Sequence, residues 1–282
     1  MANLRAIRSR IKSVQNTQQI TKSMKMVAAS KLRRTQAAFG ELRSFAERSA
    51  RLLERVGEAA DGPYLSARTE RKRVLYVLIV GNRGLCGTYN SSLLRYLEEL
   101  EKTEGVEYEL VVAGRWGKDL IPAAGIPLKK TFEISDTPTG AEARELTDYL
   151  CSCWMSGEAD EVVLVYQQFK SVLSQNPGCR TLLPLERREG KAEDHLIFEP
   201  DRRTVLNRLL ELYLLNTVHA ALLEARTGEH SARMTAMTSA SDSTEELINE
   251  LTLQFNHARQ AAITTEITEI VGGAEALSNE KH

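Results

Sequence analysis

From Leu4 onward, alternating steps of three and four residues land on Leu4, Ile7, Ile11, Val14, Gln18, Thr21, Lys25, Ala28, Leu32, Thr35, Phe39, Leu42, Ala46, Ser49, Leu53 and Val56, and eleven of these sixteen are apolar. A 3.5-residue apolar period kept for nearly eight heptads without a proline predicts a long helix that must lie against another helix. Gln18, Thr21 and Lys25 interrupt the stripe together. The seam is therefore expected to be loose there, or faced by something other than one regular partner helix.

The far end of the chain repeats the pattern. After Pro200, Leu206, Leu210, Tyr213, Leu214, Val218, Ala221, Leu222 and Ala225 make a broad apolar face, and a polar stretch follows around residues 228–244. Ile248, Leu251, Phe255, Ala258 and Ala262 then resume the stripe and lead into Ile263, Ile267 and Ile270 before Gly272-Gly273, where a helix stop is expected. A single helix over 204–271 would be about 100 Å long at 1.5 Å per residue. Two such stripes at opposite ends of a chain bury each other by pairing side by side, with a compact domain holding their roots together, so an antiparallel two-helix coiled coil is expected. Charge favours the pairing, because residues 1–56 carry 13 Lys/Arg against 3 Asp/Glu and residues 204–282 carry 5 against 11.

All seven prolines lie between Pro63 and Pro200. There the chain alternates strand-like and helix-like segments. Val74–Val80, Tyr108–Ala113, Lys130–Ile134, Glu161–Gln167 and Cys179–Leu185 read as strands; Tyr89–Lys102, a short piece near Lys118–Ala123 and Ala141–Met155 read as helices. This rhythm predicts a mostly parallel sheet covered by helices. The fold class is therefore α/β, with a Rossmann-like central domain over 74–200, an N-terminal coiled-coil helix over 1–57 and a C-terminal one over 204–277.

The net charge of -1 argues against a general polyanion binder, and the longest clear apolar run, Val74–Val80, is far short of the roughly 18–20 residues of a membrane span. Residues 1–40 hold nine Lys/Arg and no Asp/Glu, as a transit peptide would, but the apolar period continues past them, so they read as mature structure. No aromatic residue occurs before Phe39 to stack on bases, which favours a protein partner over nucleic acid for this basic helix. Four cysteines without C-x-x-C spacing fit a reducing compartment.

Gly81-Asn82-Arg83-Gly84-Leu85-Cys86-Gly87 follows a strand and precedes a helix, where a dinucleotide phosphate would sit. Its spacing is G-x-x-G-x-x-G, and it lacks the Lys-Ser/Thr of a phosphate loop, so a structural turn is the favoured reading and a nucleotide-dependent enzyme with a coiled-coil arm the alternative. Cys86 beside a helix start has either a lowered pKa or an inert buried thiol. His195, His219, His230, His257 and His282 make no metal-ligand spacing. No catalytic residue, cofactor or metal is expected.

Two terminal motifs carry a resemblance. Ile20-Thr-Lys-Ser-Met-Lys-Met-Val-Ala-Ala-Ser-Lys-Leu32 and Ala258-Arg-Gln-Ala-Ala-Ile-Thr-Thr-Glu-Ile-Thr-Glu-Ile-Val-Gly-Gly-Ala274 closely resemble the gamma subunits of rotary F-type ATP synthases. Asn82-Arg-Gly-Leu-Cys-Gly87, Ser174-Gln-x-Pro177 and Leu182-Leu-Pro-Leu185 are similar to the family's middle segments. Asn82 stands where the family commonly has Asp, the regulatory cysteine insertion of chloroplast relatives is missing, and Ser278–His282 runs slightly past the usual end.

The resemblance implies a rotor axle without bond chemistry of its own. It would sit inside a hexamer of alpha and beta subunits, contact the epsilon subunit and the membrane c-ring, insert into no bilayer and bind no nucleic acid. A bacterial inner membrane, on its cytoplasmic side, is the implied location. By the same resemblance Met24, Lys25, Arg259, Gln260 and Thr264 are the rotor-to-stator contact residues, with Met24 passing an acidic beta segment and Arg259-Gln260 engaging a beta loop. The small side chains of Ala258, Ala261, Ala262, Thr264 and Thr265 suit either a sliding surface or close helix packing.

Overall fold

The computed structural model describes residues 2–56, 64–65, 71–116, 118, 121, 126–185, 199 and 201–279. Helix α1 (Ala2–Val56) opens the chain; β1 (Arg73–Ile79), α2 (Tyr89–Glu104), β2 (Glu107–Ala113), β3 (Leu128–Phe132), α3 (Gly140–Met155), β4 (Glu161–Ser171) and β5 (Ser174–Leu183) follow, and α4 (Arg202–Asn279) closes it. The short helix expected near 118–123 lies mostly outside the described residues. The chain divides into two compact units, residues 27–235 and the pair 1–26 with 236–282.

The larger unit is built on one sheet of order β3-β2-β1-β4-β5. β1 pairs in parallel with β2 and β4, β2 pairs in parallel with β3, and β5 returns antiparallel on β4. Alternation along the strands sorts side chains to two faces. Leu75, Val77, Ile79, Val111, Leu164 and Tyr166 meet Leu146, Leu150 and Trp154 of α3 and Leu214, Val218 and Leu222 of α4. Tyr76, Leu78, Val80, Leu110, Val112 and Val165 meet Tyr89, Leu93 and Leu97 of α2. β1 is thus buried on both sides, as its unbroken apolar run requires.

Local signals set the ends of the elements. Thr139 caps α3 through a reciprocal capping box with Glu142. Gly105 ends α2 in the left-handed region at φ 57° and returns its N–H to the Glu101 carbonyl. Gly114, at φ 132°, lets the chain past β2 so close to β1 that an added Cβ would stand 2.3 Å from the Val80 carbonyl oxygen. β5 starts five residues before the expected Cys179 and contains Pro177, which an edge strand tolerates.

In the smaller unit the two chain ends lie side by side. The Arg8 guanidinium stands 5.4 Å above the Phe255 ring. This unit ends at Met26 in α1 and begins again at Ala236 in α4, eighteen residues after Arg8 and nineteen before Phe255, so the helices run antiparallel. Leu4, Ile7, Ile11, Val14, Gln18, Thr21 and Lys25 are all buried or half-buried, as are Met237, Ser241, Thr244, Ile248, Leu251, Phe255, Ala258 and Ala262. The 3.5-residue period therefore runs unbroken on both helices.

Three expectations are corrected. Of the two readings of the Gln18, Thr21 and Lys25 break, a loose seam does not hold at Thr21, which is 7% exposed and donates its hydroxyl to the Gln18 carbonyl at 2.9 Å. Gly272-Gly273 does not end α4, which continues to Asn279 because good helix formers follow the glycines and a helical glycine costs only about 1 kcal/mol. Ile263, Ile267 and Ile270 do not extend the stripe; they are exposed, Ile270 at 71%. Arg8 is level with Phe255, so among the described residues of α1, which start at Ala2, none lies beside α4 beyond about Ala262. Hydrogen exchange on the purified chain should therefore show slow amides in β1 and fast ones in α4 beyond Ala262, where each amide keeps only its own helix bond. Equal protection in the two would contradict an unaccompanied helix end.

Candidate functional site

The loop after β1 is the first candidate. Its backbone is held by three α4 side chains, Arg226 and, from the expected polar stretch, Glu229 and Arg233. Arg226, 1% exposed, donates Nε to the Ser135 carbonyl at 3.2 Å and Nη1 to the Val80 carbonyl at 3.0 Å and to Glu229 at 2.7 Å. Its Nη2 serves Asn82 Oδ1 at 2.8 Å and the Ile134 carbonyl at 3.2 Å. All five guanidinium N–H groups are thereby used. Glu229 also accepts Arg233 Nη2 at 2.6 Å and the Asn82 backbone N–H at 3.2 Å. Arg233 continues to the carbonyls of Arg83 at 2.9 Å and Gly84 at 3.3 Å.

The cluster reaches two further segments. Asn82 Nδ2 donates to Asp136 Oδ1 at 3.1 Å, and Lys31 of α1 is ion-paired with the same carboxylate. His230 places Nε2 3.2 Å from the Asp136 carbonyl and Nδ1 3.5 Å from Arg233. A carbonyl only accepts and a guanidinium only donates, so the ring carries its proton on Nε2 and is neutral.

This arrangement decides what the Gly-rich loop can do. In an open parallel sheet, ligands bind beyond the carboxyl ends of the strands where the strand order reverses, here between β1 and β4. The Arg226 guanidinium occupies the end of β1, and the Glu229 carboxylate takes the loop amide that a phosphate would take. An added Cβ at Gly81 would already stand 3.0 Å from Glu229 Cδ. Leu85 turns the loop at φ 61° with its side chain exposed. Burial pushes the Cys86 thiol up and outweighs the Arg233 charge, which leaves it protonated rather than activated. Burial likewise raises Cys151, to about 11. Among the described residues no three His, Cys, Asp or Glu side chains come together as a metal site, and no helix is long and apolar enough to cross a membrane.

The second candidate is the set of contact residues on the helix pair. Arg259, Gln260 and Thr264 are exposed, off the stripe of Phe255, Ala258 and Ala262; Met24 and Lys25 are half-buried. The structure brings the first three together on one stretch of α4 and leaves Met24 and Lys25 on α1. Thr264 donates its hydroxyl to the Gln260 carbonyl at 3.0 Å, Thr265 to that of Ala261 at 3.0 Å and Thr268 to that of Thr264 at 2.8 Å. What sequence reading missed was the buried cluster. Its one available signal was Arg226, Glu229 and Arg233 at helical spacings of three and four.

The cluster makes stability depend on pH in one direction. Burial lowers the His230 pKa, so the unfolded chain takes up a proton near pH 6.5 before the folded chain does. Burial would raise Glu229 and Asp136, but the charges of Arg226 and Arg233 outweigh it for Glu229, and hydrogen bonds from Lys31 and Asn82 outweigh it for Asp136, so both lie below the carboxylate range. Each of the three groups stabilises above its unfolded pKa and loses that contribution on acidification. The urea midpoint should decline as pH falls below about 6.5 and drop further below about 4. His230→Gln should remove the first decline and keep the second, and an unchanged upper limb would contradict a neutral His230.

Comparison with known proteins gives this geometry its family. Residues 3–277 match the family model described as ATP synthase. The ATP synthase gamma chain of Moorella thermoacetica is 44% identical over 281 residues, covering 98% of this chain and all of that one. The ATP synthase gamma chain of Desulfitobacterium hafniense is 43% identical with the same coverage. Among solved structures, the mitochondrial ATP synthase central stalk and c-ring of Tetrahymena thermophila matches with 27% identity and a TM-score of 0.63, covering 79% of this chain and 99% of that one. A Euglena gracilis mitochondrial ATP synthase chain shares the fold at 21% identity and a TM-score of 0.72, covering all of this chain and 96% of that one. The buried stripe on both chain ends, the closed crevice at the sheet and the full-length similarity agree: the chain belongs to the ATP synthase gamma chain family.

Proposed function

We propose that this chain is the central rotor shaft of an ATP synthase, turning inside the alpha-beta hexamer and carrying the rotation of a membrane c-ring to the catalytic beta subunits. The observation that carries the reading is the end of α4, where Ile263, Ile267, Ile270 and Val271 stand exposed beside Arg259 and Gln260, on a chain similar over its full length to gamma chains. Exposed apolar residues in such number on one helix end mark a surface that another protein covers. The shaft does no bond chemistry itself. It acts by binding one arrangement of beta sites better at each angle, since only differential affinity shifts populations. The complex is peripheral to the membrane, and its cytoplasmic side is the side we assign to the shaft.

Arg259 and Gln260 supply the most specific contact to the stator, Arg259 by forking onto a carboxylate and Gln260 by serving a backbone group. Arg259→Leu should keep the helix content of the purified chain and reduce ATP synthesis of the reconstituted complex more than about tenfold, since a charge-assisted bond is worth about 1.5–3 kcal/mol. An unimpaired rate, or a chain that fails to fold, would sink the assignment.

Met24, beside Lys25, passes the acidic beta segment, and Thr264 lies near the Gln260 contact. Met24→Lys adds a cation there and favours one rotary position; about 1 kcal/mol changes the ratio of two positions roughly fivefold. ATP-driven proton pumping should then fall more than ATP hydrolysis, and an equal fall in both would count against this position.

A further inference from the structure

Helix α4 leaves the α/β domain with two kinds of attachment. Leu214, Val218, Ala221 and Leu222 lie on the sheet, and this apolar contact is strong but has no preferred direction, so it resists separation better than it resists sliding or turning. The attachment at Arg226 is different in kind. Its five N–H groups aim at four acceptors on the domain, in the loops after β1 and β3, and at Glu229 on its own helix. Hydrogen bonds weaken steeply when bent, so turning the helix about its axis strains all four links to the domain at once. Arg233 repeats the grip two turns further along on Arg83 and Gly84, and Lys31 ties α1 to Asp136 in the same cluster.

We infer that Arg226, with Glu229 and Arg233, is the torsional key of the rotor: it fixes the angle of α4 to the sheet, so that torque applied to the α/β domain reaches the shaft without slip. This rests on the rotor reading above and adds to it a positioning role for three residues that touch neither nucleotide nor stator. The cluster is buried and fully bonded, and so does not depend on ionic strength as an exposed ion pair would. Glu229 is a hinge pin between the two arginines, because removing its charge leaves both buried and unpaired.

The experiment uses the assembled ATP synthase with the hexamer fixed and a rod attached to the α/β domain through Glu98→Cys on exposed α2 surface. Angular variance of the rod within one ATP-waiting dwell reports torsional stiffness, and pumping per ATP hydrolysed reports coupling. Arg226→Lys keeps the charge and loses the fork, and should raise the variance at least about twofold and lower the pumping-to-hydrolysis ratio about threefold. A cluster that only stabilises the fold would lower the melting temperature and leave both quantities at wild-type values in the complexes that assemble. That result overturns the proposal. Should Arg226→Lys not assemble, Asn82→Ala removes one acceptor at the rim and should raise the variance about 1.5-fold; wild-type variance there overturns the proposal equally. A wild-type rod that does not rotate with ATP would instead refute the rotor reading itself.

Discussion

A guanidinium withdrawn from water needs an acceptor for every N–H it carries, and few places inside a protein offer five. In this chain Arg226 finds them where β1 and β3 end, because strands of a parallel sheet deliver their last carbonyls to one edge. Glu229 makes the burial tolerable by supplying the opposite charge, and Arg233 uses the second carboxylate oxygen. The conformation of the Gly81–Gly87 loop, the position of the Asp136 segment and the seating of α4 on the sheet all follow from satisfying that one group.

The doubly wound architecture normally keeps its carboxyl edge open for a ligand. Here the same edge is closed from within, and the closure changes what the domain is good for. An open crevice admits domain movement and ligand exchange, whereas a crevice filled by hydrogen-bonded side chains of a passing helix joins sheet and helix into one body. Gly81 and Gly114 mark how little room remains, since a side chain at either would collide with Glu229 or with the Val80 carbonyl.

Much of this was legible in the sequence. Over Leu4–Lys25 the 3.5-residue stripe located the contact face of α1 residue by residue, including the polar Gln18, Thr21 and Lys25. β1 was legible as a strand from its apolar run, and the absence of alternation in that run matches its burial on both faces. The polar stretch expected over 228–244 hides burial for a definite reason: polar residues in a helix normally face water, and here Glu229, His230 and Ser231 are buried beside Arg226 because each finds partners in other segments of the chain. Apolar periodicity reports burial by hydrophobicity only, and partners in distant segments, such as Val80, Ile134 and Val172, leave no local signal beyond the spacing of Arg226, Glu229 and Arg233. The proposed rotor-to-stator residues come from the resemblance alone; Arg259, Gln260 and Thr264 are exposed, and Met24 and Lys25 are half-buried.

The threonines at the end of α4 have one further consequence. Thr264, Thr265 and Thr268 each give their hydroxyl proton to a carbonyl one turn back, beside the exposed Ile263 and Ile267, and so offer fewer free donors to a neighbour. A wall surrounding such a cylinder meets dispersion contacts that are weak and similar at every angle, and few directional bonds that would have to break before it could turn. The friction of the bearing is in this sense shaped by the hydrogen bonding of the helix, whose threonines keep their own donors occupied.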